Sequence, residues 1–73
     1  MTVKEVIEKY KDKYGFAIEG GNLVGECWLE VGGYWYHWST DESFDKEEFD
    51  NLEVFSLDFE VYTEEKTILI TVK

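Results

Sequence analysis

The stretch from residue 53 to residue 72 narrows the possible folds most. Phe55, Leu57, Phe59 and Val61 alternate with Ser56, Asp58, Glu60 and Tyr62. Ile68, Ile70 and Val72 resume the alternation after a polar gap. A period of two is that of a strand with one face buried. A turn centred on Glu64–Glu65 sets Val61 opposite Ile68, Phe59 opposite Ile70 and Leu57 opposite Val72, so apolar meets apolar at every step. Two glutamates suit a primed two-residue turn poorly, so a four-residue loop of the same register is expected. A sheet with one strongly apolar face needs a cover.

The N-terminus supplies one. Val3, Val6, Ile7, Tyr10 and Tyr14 form a single stripe at helical spacing, and charged residues fill the positions between them. Thr2 and Glu5 read as a capping box. Gly15 reads as the stop, with Lys11 and Lys13 in the last turn, where the helix dipole favours cations. The spacing predicts a helix over 2–14, with Val3, Val6, Ile7 and Tyr10 packed on Phe55, Leu57, Phe59, Ile68 and Ile70.

Two glycine pairs punctuate the middle, Gly20–Gly21 and Gly32–Gly33, and glycine reaches the positive φ of tight hairpin turns. Taken as the loops, they set Ile18 opposite Leu23, Phe16 opposite Gly25 and Ala17 opposite Val24. They also set Val31 opposite Tyr34, Leu29 opposite Tyr36 and Cys27 opposite Trp38. The result is a three-stranded meander over 16–40 with Leu23, Leu29 and Val31 on one side. On the other side Glu30 would face Trp35, and Trp28 would face His37. Residues 41–52 read as a connection containing a helical turn or two, capped by Ser43 and pinned by Phe44, Phe49 and Leu52.

The expected chain is a single α+β domain over 1–73, in the order α-β-β-β-short α-β-β. Its N-terminal helix packs on a mostly antiparallel sheet of about five strands, in two layers; a small curled barrel is the alternative. With 73 residues such a domain buries only about 60% of the surface its unfolded chain exposes. Much of its core must therefore come from three Trp, five Tyr and five Phe.

Charge bounds the partners. The net charge is -10, and it is uneven: residues 1–14 carry +1 and residues 15–73 carry -11. There is no Arg. Direct binding to nucleic acid or to an anionic membrane is disfavoured, because both need clustered Lys and Arg. No apolar run approaches the roughly 20 residues that span a bilayer. The alternating apolar and charged N-terminus is neither a signal peptide nor an anchor. A single Cys allows no internal disulfide and fits a reducing, cytoplasmic setting.

Chemistry is sparse. Cys27 and His37 are the one nucleophile–imidazole candidate, and in the hairpin above they point to opposite sides of the sheet. One Cys and one His do not make a zinc site. Asp41, Ser43 and Asp45 match the start of a calcium loop, but Lys46 replaces its glycine and Leu52 its bidentate glutamate. No glycine-rich phosphate loop is present. The chain reads as non-enzymatic, with no cofactor and no metal.

What remains is a surface. Trp28, Trp35 and His37 gather on the outer face with Glu26, Glu30, Asp58, Glu60 and Tyr62. Asp41, Glu42, Asp45, Glu47, Glu48 and Asp50 follow in a run, and residues 41–65 hold eleven acids against one Lys. Aromatics amid carboxylates suit a Lys- or Arg-bearing partner. The candidate protein-binding residues are therefore those six acids with Asp58, Glu60, Trp28 and Trp35. The expected partner is a basic protein surface, and the expected state is a monomer or weak dimer. A small ligand or carbohydrate held on the Trp-rich face is the alternative function.

The opening Thr2-Val3-Lys4-Glu5-Val6-Ile7 helix, the meander after it and the acidic segment that follows resemble small acidic proteins of phages and mobile elements, type II-A anti-CRISPR proteins among them. The resemblance covers residues 1–50. It implies an acidic face that mimics nucleic-acid charge and inhibits a basic protein. The final hairpin departs from that pattern, which is more helical at its C-terminus, and no functional residue is carried over.

Overall fold

The computed structural model describes residues 1–21, 23, 27–31, 35–37, 47 and 50–73. Thr2 opens the helix as its position suggests. Its hydroxyl accepts from the Glu5 amide at 3.3 Å, and the Glu5 carboxylate accepts from the Thr2 amide at 3.1 Å, the reciprocal bonds of a capping box. Helix α1 runs Val3–Tyr10, shorter than the stripe suggests. Tyr14 lies beyond it, its amide donating to the Tyr10 carbonyl at 3.1 Å. The helix gives way because Gly15 is already a strand residue: its amide donates to the Lys66 carbonyl at 2.9 Å. Sheet pairing outweighs the intrinsic helical preference of Lys11 and Lys13.

Among the described residues five strands follow: β1 Gly15–Gly20, β2 Cys27–Leu29, β3 Trp35–His37, β4 Val54–Tyr62 and β5 Thr67–Val72. They lie in the order β3-β2-β1-β5-β4. The fold is α+β and the sheet is mixed. Three neighbouring pairs are antiparallel, and the central pair, β1 with β5, is parallel. Among the described parts of 41–52, Glu47 and Asp50 have helical backbone; Ser43, Phe44 and Phe49 lie outside the described residues.

Apolar rows cross the sheet at each level. Leu29, Phe16 and Ile68 form one, and Cys27, Ile18, Ile70 and Leu57 form the next. Val3 and Val6 of α1 join the same buried cluster. The expected packing of α1 against Ile68 and Ile70 is therefore present, but Phe55 is 70% exposed and does not take part.

Both glycine-pair hairpins differ from expectation. Ile18 stands opposite Cys27, not Leu23, and Phe16 opposite Leu29, not Gly25. The β1–β2 connection is thus longer than two residues. It still turns at Gly20, whose φ of 99° suits glycine. In the second hairpin Cys27 pairs with His37, Trp28 with Tyr36 and Leu29 with Trp35, one residue out of the expected register. The position paired with Cys27 is therefore that of His37, and Trp28 shares its level with Tyr36 instead of His37. Val31, placed on the inner side by the sequence, is 53% exposed.

Candidate interaction surface

The final hairpin begins as its pattern requires. Tyr62 pairs with Thr67 across the four-residue turn Thr63–Lys66. Upstream the register changes twice. Asp58 pairs with Leu69, so Phe59, Glu60 and Val61 all stand opposite Ile68. Between Val54, paired with Val72, and Ser56, paired with Thr71, Phe55 is one residue too many. The expected pairs of Phe59 with Ile70 and Leu57 with Val72 are replaced; Leu57 faces Ile70.

A side chain explains the larger bulge. Asp58 Oδ1 accepts from the Glu60 amide at 2.7 Å and from the Val61 amide at 3.2 Å. Aspartate commonly holds the backbone two and three residues ahead in this way, and it competes with ladder pairing when it does. Extra residues of this kind bend a strand locally and break its alternation. Phe59 is left 39% exposed, Val61 51% and Phe55 70%. Phe59 keeps edge-on ring contacts with Tyr10 at 5.4 Å and Tyr14 at 6.1 Å.

Strand β4 is thus an outer strand that presents apolar side chains among acids. Glu53, Asp58, Glu60, Glu64 and Glu65 are exposed along it and its turn. At the turn, Tyr14, Val31 and Phe59 line an open cleft of about 730 Å³ with Glu64, Glu65 and Lys66. Phe55, Phe59 and Val61 were assigned to the core by their alternation. The available signal was Asp58, a residue depleted in strands and favoured in turns.

The described members of the sequence-derived site lie on several elements. Asp58 and Glu60 lie on β4. Glu47 is exposed and Asp50 is partly buried. Trp28, half-buried on β2, meets the Tyr62 ring at 4.9 Å. Trp35 pairs with Leu29 in the backbone register of β3, not with Glu30 as expected. Asp41, Glu42, Asp45 and Glu48 lie outside the described residues, as does most of the failed calcium loop. Glu5 has its carboxyl held below the usual range, first by the Thr2 amide and then by the Thr2 hydroxyl; this is capping, not catalysis.

No family model matches the chain, and no curated protein and no solved structure matches it either. Among the described residues no helix is long and apolar enough to cross a membrane.

Proposed function

We propose that this chain is a non-enzymatic acidic interaction module that binds a basic protein surface through β4 and its turn. The observation that supports this most is the exposure of Phe55, Phe59 and Val61 on an outer strand set among carboxylates. No Lys occurs from Glu47 to Glu65. Apolar anchors supply affinity once water is excluded, while the surrounding charge steers a cationic partner and rejects anionic ones. Asp41, Glu42, Asp45, Glu47, Glu48 and Asp50 extend the same charge, and Trp28 and Trp35 are candidate aromatic contacts. Mimicry of nucleic-acid charge is one form of this role. With α1 covering one sheet face as the second of two layers, the β4 margin remains for docking.

The test uses two variants against a partner recovered at low salt and lost at high salt. In one, Glu60, Glu64 and Glu65 become Lys; in the other, Phe55 and Val61 become Ser. The first should slow association and the second should speed dissociation. Unchanged low-salt binding by both variants would overturn the reading.

A second reading draws on a cleft of about 350 Å³ beside Trp28, lined also by Gly15, Glu30, Val31 and Glu65. An aromatic wall with flanking carboxylates suits a carbohydrate or a small polar ligand. Binding there would be lost in Trp28→Ala and insensitive to salt, and it is the insensitivity to salt that separates it from the first reading.

A further inference from the structure

Strand β4 runs nine residues at the margin of the sheet. Among the described residues it pairs with β5 alone, apart from a bridge between Glu53 and Thr2. A long margin strand with exposed apolar side chains is a template for pairing with another chain. Here several of its backbone donors are taken. At the start, the Val54 amide donates to the Met1 carbonyl at 2.8 Å. Further on, Asp58 Oδ1 holds the Glu60 and Val61 amides. Between these two points lies the stretch from Phe55 to Leu57, shorter than the roughly five or six residues of an average strand.

We propose that Asp58 is a latch on this margin: by holding the Glu60 and Val61 amides in a bulge, it prevents β4 from pairing with β4 of a second copy. With the latch open, the run available for pairing extends from Phe55 to Tyr62, and Phe55 and Val61 provide its apolar contacts. This goes beyond the proposed binding role and holds whether or not a basic partner exists. Charge adds a second barrier, since each copy carries -10 and repulsion between copies weakens as salt shortens the screening length below about 10 Å.

The experiment compares the parent chain with Asp58→Asn and Asp58→Ala at high salt. Sedimentation measures self-association, and amide hydrogen exchange is followed residue by residue. Asparagine keeps the Oδ1 acceptor and loses the charge; alanine loses both. The parent and Asp58→Asn should remain monomeric. Asp58→Ala should self-associate at least about tenfold more strongly, with faster exchange at Glu60 and Val61 in its monomeric form. Adding Phe55→Lys to Asp58→Ala should restore the monomer. A folded, monomeric Asp58→Ala overturns the proposal, as does association of Asp58→Asn equal to that of the alanine variant. Should Asp58→Ala not fold, the parent decides: protected Glu60 and Val61 amides support the latch, and exchange at the unstructured rate removes it.

Discussion

Trp28 and Tyr62 meet with ring centroids 4.9 Å apart and planes inclined at 61°, although β1 and β5 lie between their strands. Small residues between them make the contact possible. Ala17 stands opposite Trp28, and Gly15 pairs with Thr67, which in turn pairs with Tyr62. The two rings can therefore reach toward each other over a shallow floor. Edge-on aromatic pairs contribute about 0.5–1.5 kcal/mol beyond the area they bury. A double-mutant cycle of Trp28→Leu and Tyr62→Leu, read by urea unfolding, should return a coupling of that order. Strict additivity would show that the rings pack independently.

Core substitutions should rank by position in the rows. Ile70 is fully buried between Ile18 and Leu57, and Ile70→Ala should cost about 2–5 kcal/mol, a large share of so small a domain's stability. Phe59→Ala loses partial burial and two ring contacts, so about 2 kcal/mol is expected, less than the 3–5 kcal/mol typical of a buried Phe. Phe55→Ala should fall within about 0.5 kcal/mol. Urea midpoints order the three, and a Phe55→Ala cost matching that of Ile70→Ala would contradict the bulge.

That ranking marks where the sequence was legible. Thr2 and Glu5 were readable because a capping box is local, as was the four-residue turn between Tyr62 and Thr67. The register above the turn was not readable. Alternation at Phe55, Leu57, Phe59 and Val61 fits any pairing of the right parity, and it does not reveal that Asp58 takes two amides out of the ladder. The parallel pairing of β1 with β5 joins residues far apart in the chain, Gly15 with Thr67 for one, and no local pattern encodes it. The glycine pairs misled for a related reason. Positive φ at Gly20 and Gly21 permits a turn there without fixing how soon the returning strand begins. For the proposed interaction surface the acids were legible by count, but the apolar residues among them were hidden by their resemblance to core.

Cys27 is fully buried, and burial pushes its thiol up to about 11. The thiol should resist alkylating reagents in the native state and react on unfolding. It also carries a pH signature. In the unfolded chain the thiol loses its proton near 8.5, while in the folded chain it keeps it to higher pH. Between those values the folded state binds more protons, so stability must fall as pH rises. The contribution is complete below the unfolded value and lost as pH climbs toward the folded one. Denaturation of the parent and of Cys27→Ala from pH 7 to pH 10 should show the steeper alkaline decline in the parent. Parallel curves would place Cys27 within reach of water.

Gly15 illustrates how a residue that reads as a helix stop can serve another end. It begins β1 and is buried. A Cβ at this position would lie 2.7 Å from the Leu29 carbonyl oxygen and 3.4 Å from Thr67 Oγ1. The nearer contact is with backbone of β2, which cannot rotate aside as a side chain can. Accommodating a methyl group therefore means parting β1 from β2 at the level where Phe16 meets Leu29. Overpacking of this kind costs about 1–3 kcal/mol, which exceeds the roughly 0.4–1 kcal/mol that alanine regains by restricting the unfolded chain. Gly15→Ala should thus lower the urea midpoint, and it should speed amide exchange in β2 more than in β4. If Gly15 acted only as a helix stop, the substitution would instead lengthen α1 past Tyr10 and leave β2 undisturbed, an outcome that chemical shifts of Lys11–Tyr14 would reveal directly.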